Sequence, residues 1–344
     1  MRRPVRLPGR IQPLVVAIDV KPDPRRPDPG IKAPWLGFEG LLPVLESWRG
    51  RLAAATGRPV HYTWFAAVSP QTAAIYGDAA WPLLRYRAEF ERCLAAGDAL
   101  GLHVHFWRLT PGVAGGWVIE HEDRHWMEAA LRDSFAAYER VLKWPCRLFR
   151  FGDGRLAGWA LDLVARLGAE IDLTLEPGWP ARPGLVEDEP HRGGLPDRRG
   201  APLAPYRRQG LNFRHRAWIG GRTPWLLPIT TGALGAGGGV PAGQFSQLLW
   251  GMPPAALAPL LETAFSNGRR PVVVSVMRSE VSLGLVDRLE AGFAELARRP
   301  DIARHPVMTP AEALDAIGKR LSPARGAASP WAGSRPVSDI METV

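Results

Sequence analysis

The segment Gly97-Asp98-Ala99-Leu100-Gly101-Leu102-His103-Val104-His105-Phe106-Trp107 decides how the rest of the chain is read. Gly97 closes a helical run over 90–96, and Gly101 precedes an apolar run with the pattern of a buried strand. Alternate side chains of a strand share a face, so His103 and His105 point the same way, one pleat apart. Two imidazoles so placed can reach one borderline-soft cation, usually zinc. The same spacing also suits one His bonded inside a core and another lining a cleft.

Working outward, residues 14–18 form a short β-branched run that delivers Asp19 to the C-terminal end of a buried strand, where active sites of α/β folds collect. Five prolines between 20 and 34 make the next stretch an extended loop. Helical spacing then covers 38–55, a strand 61–65, and a helix 81–96 that leads into the His103 strand. Beyond it come a helix at 123–142, a strand at 146–151, a helix at 156–167 stopped by Gly168, and a strand at 170–175. This alternation implies a parallel sheet with crossover helices.

Residues 177–224 break the pattern. They are rich in Pro, Gly and Arg and read as a long irregular insertion. Strands at 225–229, 271–276 and 305–308 follow, interleaved with helices at 254–265 and 283–298, and Thr309-Pro310-Ala311-Glu312 opens a last helix with a cap and Pro at its first position. The reading is a single α/β domain over 13–321 shaped as an irregular (β/α) barrel, with a flexible arm at 1–12 and a disordered tail at 322–344.

Composition fits this. Apolar residues make up 46% and charged residues 22%, as in an ordinary globular protein. All but four of the 43 basic residues are Arg, giving a net charge of +9. They are scattered instead of striped along a helix, so nucleic acid is not the expected partner. Cys93 and Cys146 are too few for a disulfide framework. No stretch is apolar enough to span a bilayer, and the run at 14–18 is too short for a signal peptide, so the expectation is a cytoplasmic protein without membrane contact.

Several residues carry chemistry. Asp19 and Asp23 flank the end of the first strand and could serve as metal ligand or general base, Asp23 equally as a turn cap. Arg150 ends a strand and can hold a carboxylate bidentately. Asp172 and Glu176 end or follow the next strand. Trp35, Trp107, Trp117, Trp179 and Trp218 lie near the same rim and could stack on sugar faces. His121-Glu122-Asp123-Arg124-His125 matches a zinc-protease helix pattern, but its face continues as Glu128, Arg132 and Glu139, a solvated surface.

Taken in order, Ile18-Asp19, the Gly97–His103 segment, Phe149-Arg150, the stretch from Leu167-Gly168 to Glu176 and the closing Thr309-Pro310-Ala311-Glu312-Ala313-Leu314 resemble the polysaccharide deacetylase family, the NodB-homology group, over roughly 14–320. The resemblance implies an irregular (β/α) barrel, a divalent metal (usually zinc), and hydrolysis of an N- or O-acetyl group on a carbohydrate or amino sugar. It places Asp19 on the general base, His103 on a metal-ligating His, and Arg150 on the residue that orients the base. The second acidic ligand falls on Val20, the second His on Trp107, and the acid His on Arg278; Lys21 stands where divergent relatives keep an acid. The resulting expectation is a metal held by Asp19, His103 and His105, with Asp23 or Glu176 as an additional base or ligand, and Trp35, Trp107, Trp179 and Arg278 against substrate. The alternative is a non-catalytic relative that binds a glycan or nucleotide-sugar.

Overall fold

The computed structural model describes residues 11–113, 115–183, 190–217, 223–282 and 286–319. In chain order its strands are β1 (Leu14–Val20), β2 (Thr63–Ala67), β3 (Ala99–Val104), β4 (Trp107–Leu109), β5 (Trp117–Glu120), β6 (Leu148–Phe151), β7 (Ile171–Asp172), β8 (His191–Arg192), β9 (Tyr206–Gln209), β10 (Asn212–Arg216), β11 (Trp225–Leu226), β12 (Thr231–Ala233), β13 (Phe245–Gln247) and β14 (Val273–Arg278). Nine of them form one sheet in the order β10-β9-β11-β7-β6-β3-β2-β1-β14. Every pairing from β11 round to β14 is parallel, as the strand–helix alternation predicts.

The sheet curls into a barrel. After β11, Ile229 N donates to Leu175 O at 2.8 Å, and Thr230 N then donates to Val274 O at 2.9 Å. Val276 N donates to Leu248 O at 2.8 Å and Trp250 N to Val276 O at 2.9 Å. The irregular backbone around 229–230 and 248–250 therefore joins the two ends of the parallel array. Its interior is filled by small and branched side chains, among them Val15, Ala17, Ala99, Leu148, Ile229, Val274 and Val276. Gly101 faces the same interior; a Cβ there would lie 2.6 Å from Leu148 O and 2.7 Å from Leu148 Cβ, so the close approach of β3 and β6 requires glycine.

Side chains alternate along each strand, so the residues above this apolar plug at the C-terminal ends also face inward. Register does the rest. Asp19 lies opposite Arg278 across β1 and β14, and His103 opposite Arg150 across β3 and β6. The outward faces pack against surrounding helices, such as Leu36–Thr56, which buries Phe38, Leu41, Leu45, Trp48 and Leu52. Fully burying such a side chain contributes roughly 1.5–3 kcal/mol.

Boundaries differ locally from the sequence reading. The helix expected over 81–96 is two, Trp81–Arg85 and Arg87–Ala95, meeting at Tyr86. The last expected strand shrinks to one bridge between Leu14 and Val307. The stretch 177–224 is less irregular than expected: β9 and β10 extend the main sheet and β8 joins β4 and β5. Of the expected arm, Gln12 is anchored, its Nε2 donating to Arg270 O at 2.6 Å; residues 1–10, the tail 322–344 and Trp218 lie outside the described residues. Among the described residues no helix is long and apolar enough to cross a membrane. Cys93 and Cys146 are free and buried.

Candidate active site at the barrel mouth

A cavity of about 270 Å³ opens at the C-terminal end of the barrel. Asp19, His103, His105, Arg150, Glu176, Trp179 and Arg278 all line it, as the strand register requires. Lys21, Arg25, Asp153, Arg182 and Gln247 line it too.

Asp19 is buried. Its Oδ1 lies 2.9 Å from Arg150 Nε, an ion pair whose N–H is not aligned as a hydrogen bond, while Arg150 Nη1 donates to Leu173 O at 2.8 Å. Burial alone would raise the Asp19 pKa, but Arg150, then His103, Lys21 and Arg278, outweigh it and hold the carboxyl at about 2. His103 Nε2 lies 3.9 Å from Asp19 Oδ2. Burial, with His105, Lys21 and Arg150 acting in the same sense against Asp19, holds His103 well below the ordinary imidazole range. The ring is therefore neutral, and the Asp19–His103 approach is a contact and not a salt bridge.

His105 is held differently. Its Nδ1 shares a hydrogen bond with Asp153 Oδ2 at 2.9 Å, and Asp153 Oδ1 accepts from Arg25 Nη2 at 2.8 Å. Burial would raise Asp153, but His105 and Arg25 outweigh it and keep the carboxyl well below its usual range. Asp153 sits in a Gly152–Asp153–Gly154 turn with φ 54, a left-handed conformation Asp tolerates better than most residues. Gly152 leaves room for the imidazole: a Cβ there would lie 2.4 Å from His105 Nδ1. The Nε2 of His105 has no hydrogen-bond partner among the described residues. The two imidazoles stand edge to face with centroids 4.4 Å apart.

Asp153 lines the cavity and holds His105, and the sequence reading did not single it out. Its signal was the Gly-Asp-Gly punctuation directly after β6, at the mouth end of the strand. Glu176 accepts from Arg198 Nη1 at 3.1 Å; with its amide oriented to satisfy both neighbours, Gln247 donates to Glu176 Oε1 at 3.2 Å and accepts from Arg278 Nη2 at 2.7 Å. Lys21 Nζ pairs with Glu280 at 2.7 Å.

The other expected residues lie elsewhere. Asp23 accepts from the amides of Leu36 and Gly37, each at 2.8 Å, and so ties down the start of a helix. Trp35 is buried with its Nε1 donating to Tyr76 Oη at 2.8 Å. Trp107 and Trp117 are buried in the β4–β5–β8 sheet, Trp107 beneath the Arg25 guanidinium. Asp172 is fully buried behind the strand, bonded to Thr174 and raised by burial to about 7. In the His121–His125 motif, His121 precedes the helix that Asp123 caps through Trp126 N, so the two imidazoles do not share a helical face. Of the expected tryptophans among the described residues, Trp179 lines the cavity, edge-on to Phe245 at 5.1 Å.

Asp19, His103 and His105 line the same cavity, and Asp19 Oδ1, His103 Nε2 and His105 Nε2 are buried without a hydrogen-bond partner among the described residues. Asp19 is paired with Arg150, Asp153 holds His105 through Nδ1 and leaves its Nε2 open, and the Lys21, Arg150 and Arg278 charges lie close by. Among the described residues no group of three or more His, Cys, Asp or Glu side chains converges as ligands. A divalent cation there would meet these cations as well as the ionised carboxylates of Asp19 and Asp153.

Fold and site together define an irregular α/β barrel with its polar constellation at the C-terminal mouth. Similarity to a solved structure gives this fold a name: the chain has the polysaccharide-deacetylase fold. A protein from Mycobacterium smegmatis assigned to the polysaccharide deacetylases matches with a TM-score of 0.50 at 16% identity, over 94% of this chain and 96% of that one. A peptidoglycan deacetylase from Bacillus subtilis matches with a TM-score of 0.40 at 8% identity, over 90% of this chain and 93% of that one. No family model matches the sequence, and no curated protein does.

Proposed function

We propose that the protein removes an acyl group, as an acetyl amide or ester, from a carbohydrate or amino sugar, using its own side chains in place of a metal. The observation that carries this reading is the unpartnered Nε2 of His105, whose ring is fixed by Asp153 at the barrel mouth. An imidazole held through Nδ1 by a buried carboxylate is oriented to take a proton at Nε2. A water held there loses its proton to His105 as its oxygen bonds to the acyl carbon. Asp153 stabilises the imidazolium, and Lys21 and Arg278 face the developing oxyanion. The proton then passes to the departing sugar nitrogen or oxygen as the acyl bond breaks, releasing acetate. Asp19 is a poor base, because its pKa of about 2 lies far below neutral pH; it pairs with Arg150 instead.

The test is acetate release from a panel of acetylated sugars by His105→Gln and Asp19→Asn. His105→Gln is expected to lose at least about 100-fold in kcat/KM, within the range for removing a general base. Asp19→Asn should lose less. The opposite ranking overturns the assignment. A second reading, a non-catalytic carbohydrate-binding relative, is favoured by the Lys21–Glu280 pair at 2.7 Å, which neutralises one cation of the cavity. Sugar binding without acetate release would establish it.

A further inference from the structure

We propose that a second cleft beside the barrel mouth binds anionic groups of an acidic polysaccharide, so that the substrate is a charged sugar chain and not a neutral one. This rests on the carbohydrate reading above and names its substrate class.

The cleft measures about 540 Å³ and its lining includes Gly178, Ala201, Phe245, Arg216, Arg269 and Arg270. Three arginines line it and no Asp or Glu does. Arg270 is buried at 5% exposure. Its Nη2 donates to Thr231 O at 2.9 Å, while Nη1 is buried without a hydrogen-bond partner among the described residues. Burial lowers its pKa to about 10, so the guanidinium stays charged at neutral pH. Arg216 and Arg269 are exposed, and neither has a carboxylate partner among the described residues. Arg49 and Arg147, by contrast, are paired with Asp98 and Glu170. A buried guanidinium with an unused N–H is costly unless a ligand completes it, and a carboxylate or phosphate does so with the geometry an Arg fork prefers.

The two cavities meet at Phe245, which lines both. Gly178 has φ 96, and a Cβ on it would lie 2.5 Å from Phe245 Cζ, so the ring stands directly over this turn. Next to it, Trp179 packs edge-on to Phe245 at 5.1 Å with Arg182 over its face at 4.3 Å. A sugar ring at the barrel mouth thus has an aromatic step leading toward the arginines, the surface on which a chain of sugars can lie.

The experiment measures Kd by calorimetry for oligogalacturonate, a sulfated oligosaccharide, a neutral N-acetylglucosamine oligomer and duplex DNA, using His105→Gln protein so that nothing is hydrolysed. Arg216→Gln and Arg269→Gln, both at exposed positions, should each weaken one acidic oligosaccharide by about fivefold and leave the neutral oligomer unchanged. Arg270→Met should do the same at an unchanged Tm, and a fall in Tm makes the exposed pair the deciding variants. Whichever acidic oligomer responds identifies the anion as carboxylate or sulfate. Equal binding of neutral and acidic chains, or no effect of Arg216→Gln and Arg269→Gln, overturns the proposal. So does DNA that binds as tightly as the oligosaccharides and responds to the same variants. Acidic-chain binding without acyl release from any substrate sinks the hydrolase reading alone; acyl release with no preference for acidic chains sinks this proposal alone.

Discussion

Replacing Gly152 by alanine tests whether His105 must sit where it does. The added Cβ would come within 2.4 Å of His105 Nδ1, 2.5 Å of Cγ and 2.6 Å of Cε1. Favourable carbon contacts need about 3.5 Å or more, so the ring must swing by about 1 Å, breaking the 2.9 Å bond to Asp153. Overpacking of this kind typically costs about 1–3 kcal/mol of stability. A displacement of about 1 Å in a catalytic group can reduce the rate by about 100-fold. The assay pairs kcat/KM for acyl release with a thermal melt, and uses Gly101→Ala as control. That substitution crowds Leu148 O at 2.6 Å deeper in the barrel without touching His105. Both variants should melt earlier, but Gly152→Ala should lose far more activity. If Gly152→Ala melts earlier and keeps wild-type kcat/KM, the imidazole has no part in the chemistry and the reasoning fails.

Other outcomes follow from the same contacts. Asp23→Ala removes the carboxylate that caps the Leu36–Thr56 helix, so denaturant unfolding should show a loss of about 0.5–2 kcal/mol with kcat unchanged; a loss of kcat in folded protein would restore Asp23 to the site. Asp98, from the opening segment, accepts from Tyr62 N, Trp64 Nε1 and both ends of the Arg49 fork. Its replacement by Ala strands these donors, and equilibrium unfolding should register about 3–5 kcal/mol; under about 1 kcal/mol would mean the network is dispensable. Acidification should act in two windows. Asp19 is lowered to about 2, so its contribution is complete above pH 3.8 and fades as pH falls toward 2, with a size of about 2.5 kcal/mol. His103 is held neutral below its ordinary 6.5, so the unfolded chain takes up a proton first and stability declines as pH falls beneath 6.5. His121 and His305 are lowered by burial too, so denaturation midpoints across pH should lose part of that upper slope in His103→Gln; an unchanged slope would assign it to those groups.

The parallel barrel was legible because period-two burial and helical spacing are local properties, and β1, β3, β6 and β14 deliver Asp19, His103, Arg150 and Arg278 to one end as their sequence positions predict. What escaped was set by contacts across the fold. Asp153 is defined by a left-handed turn and by a ring 48 residues upstream. Lys21 finds Glu280 across β1 and β14. Trp35 and Trp107 have loop-like neighbours in sequence yet are sealed by Tyr76 and Arg25. Spacing showed that Asp19, His103 and His105 share a face, but not that Lys21, Arg150 and Arg278 would crowd the same cavity.

The most direct test is kcat/KM for acyl release on one preparation before and after exhaustive chelation, with its zinc content measured at both points. Fixed side-chain charges in place of a metal predict the same kcat/KM at both points, with zinc far below one per chain. Activity that disappears with the chelator and returns in proportion to added zinc would contradict the account.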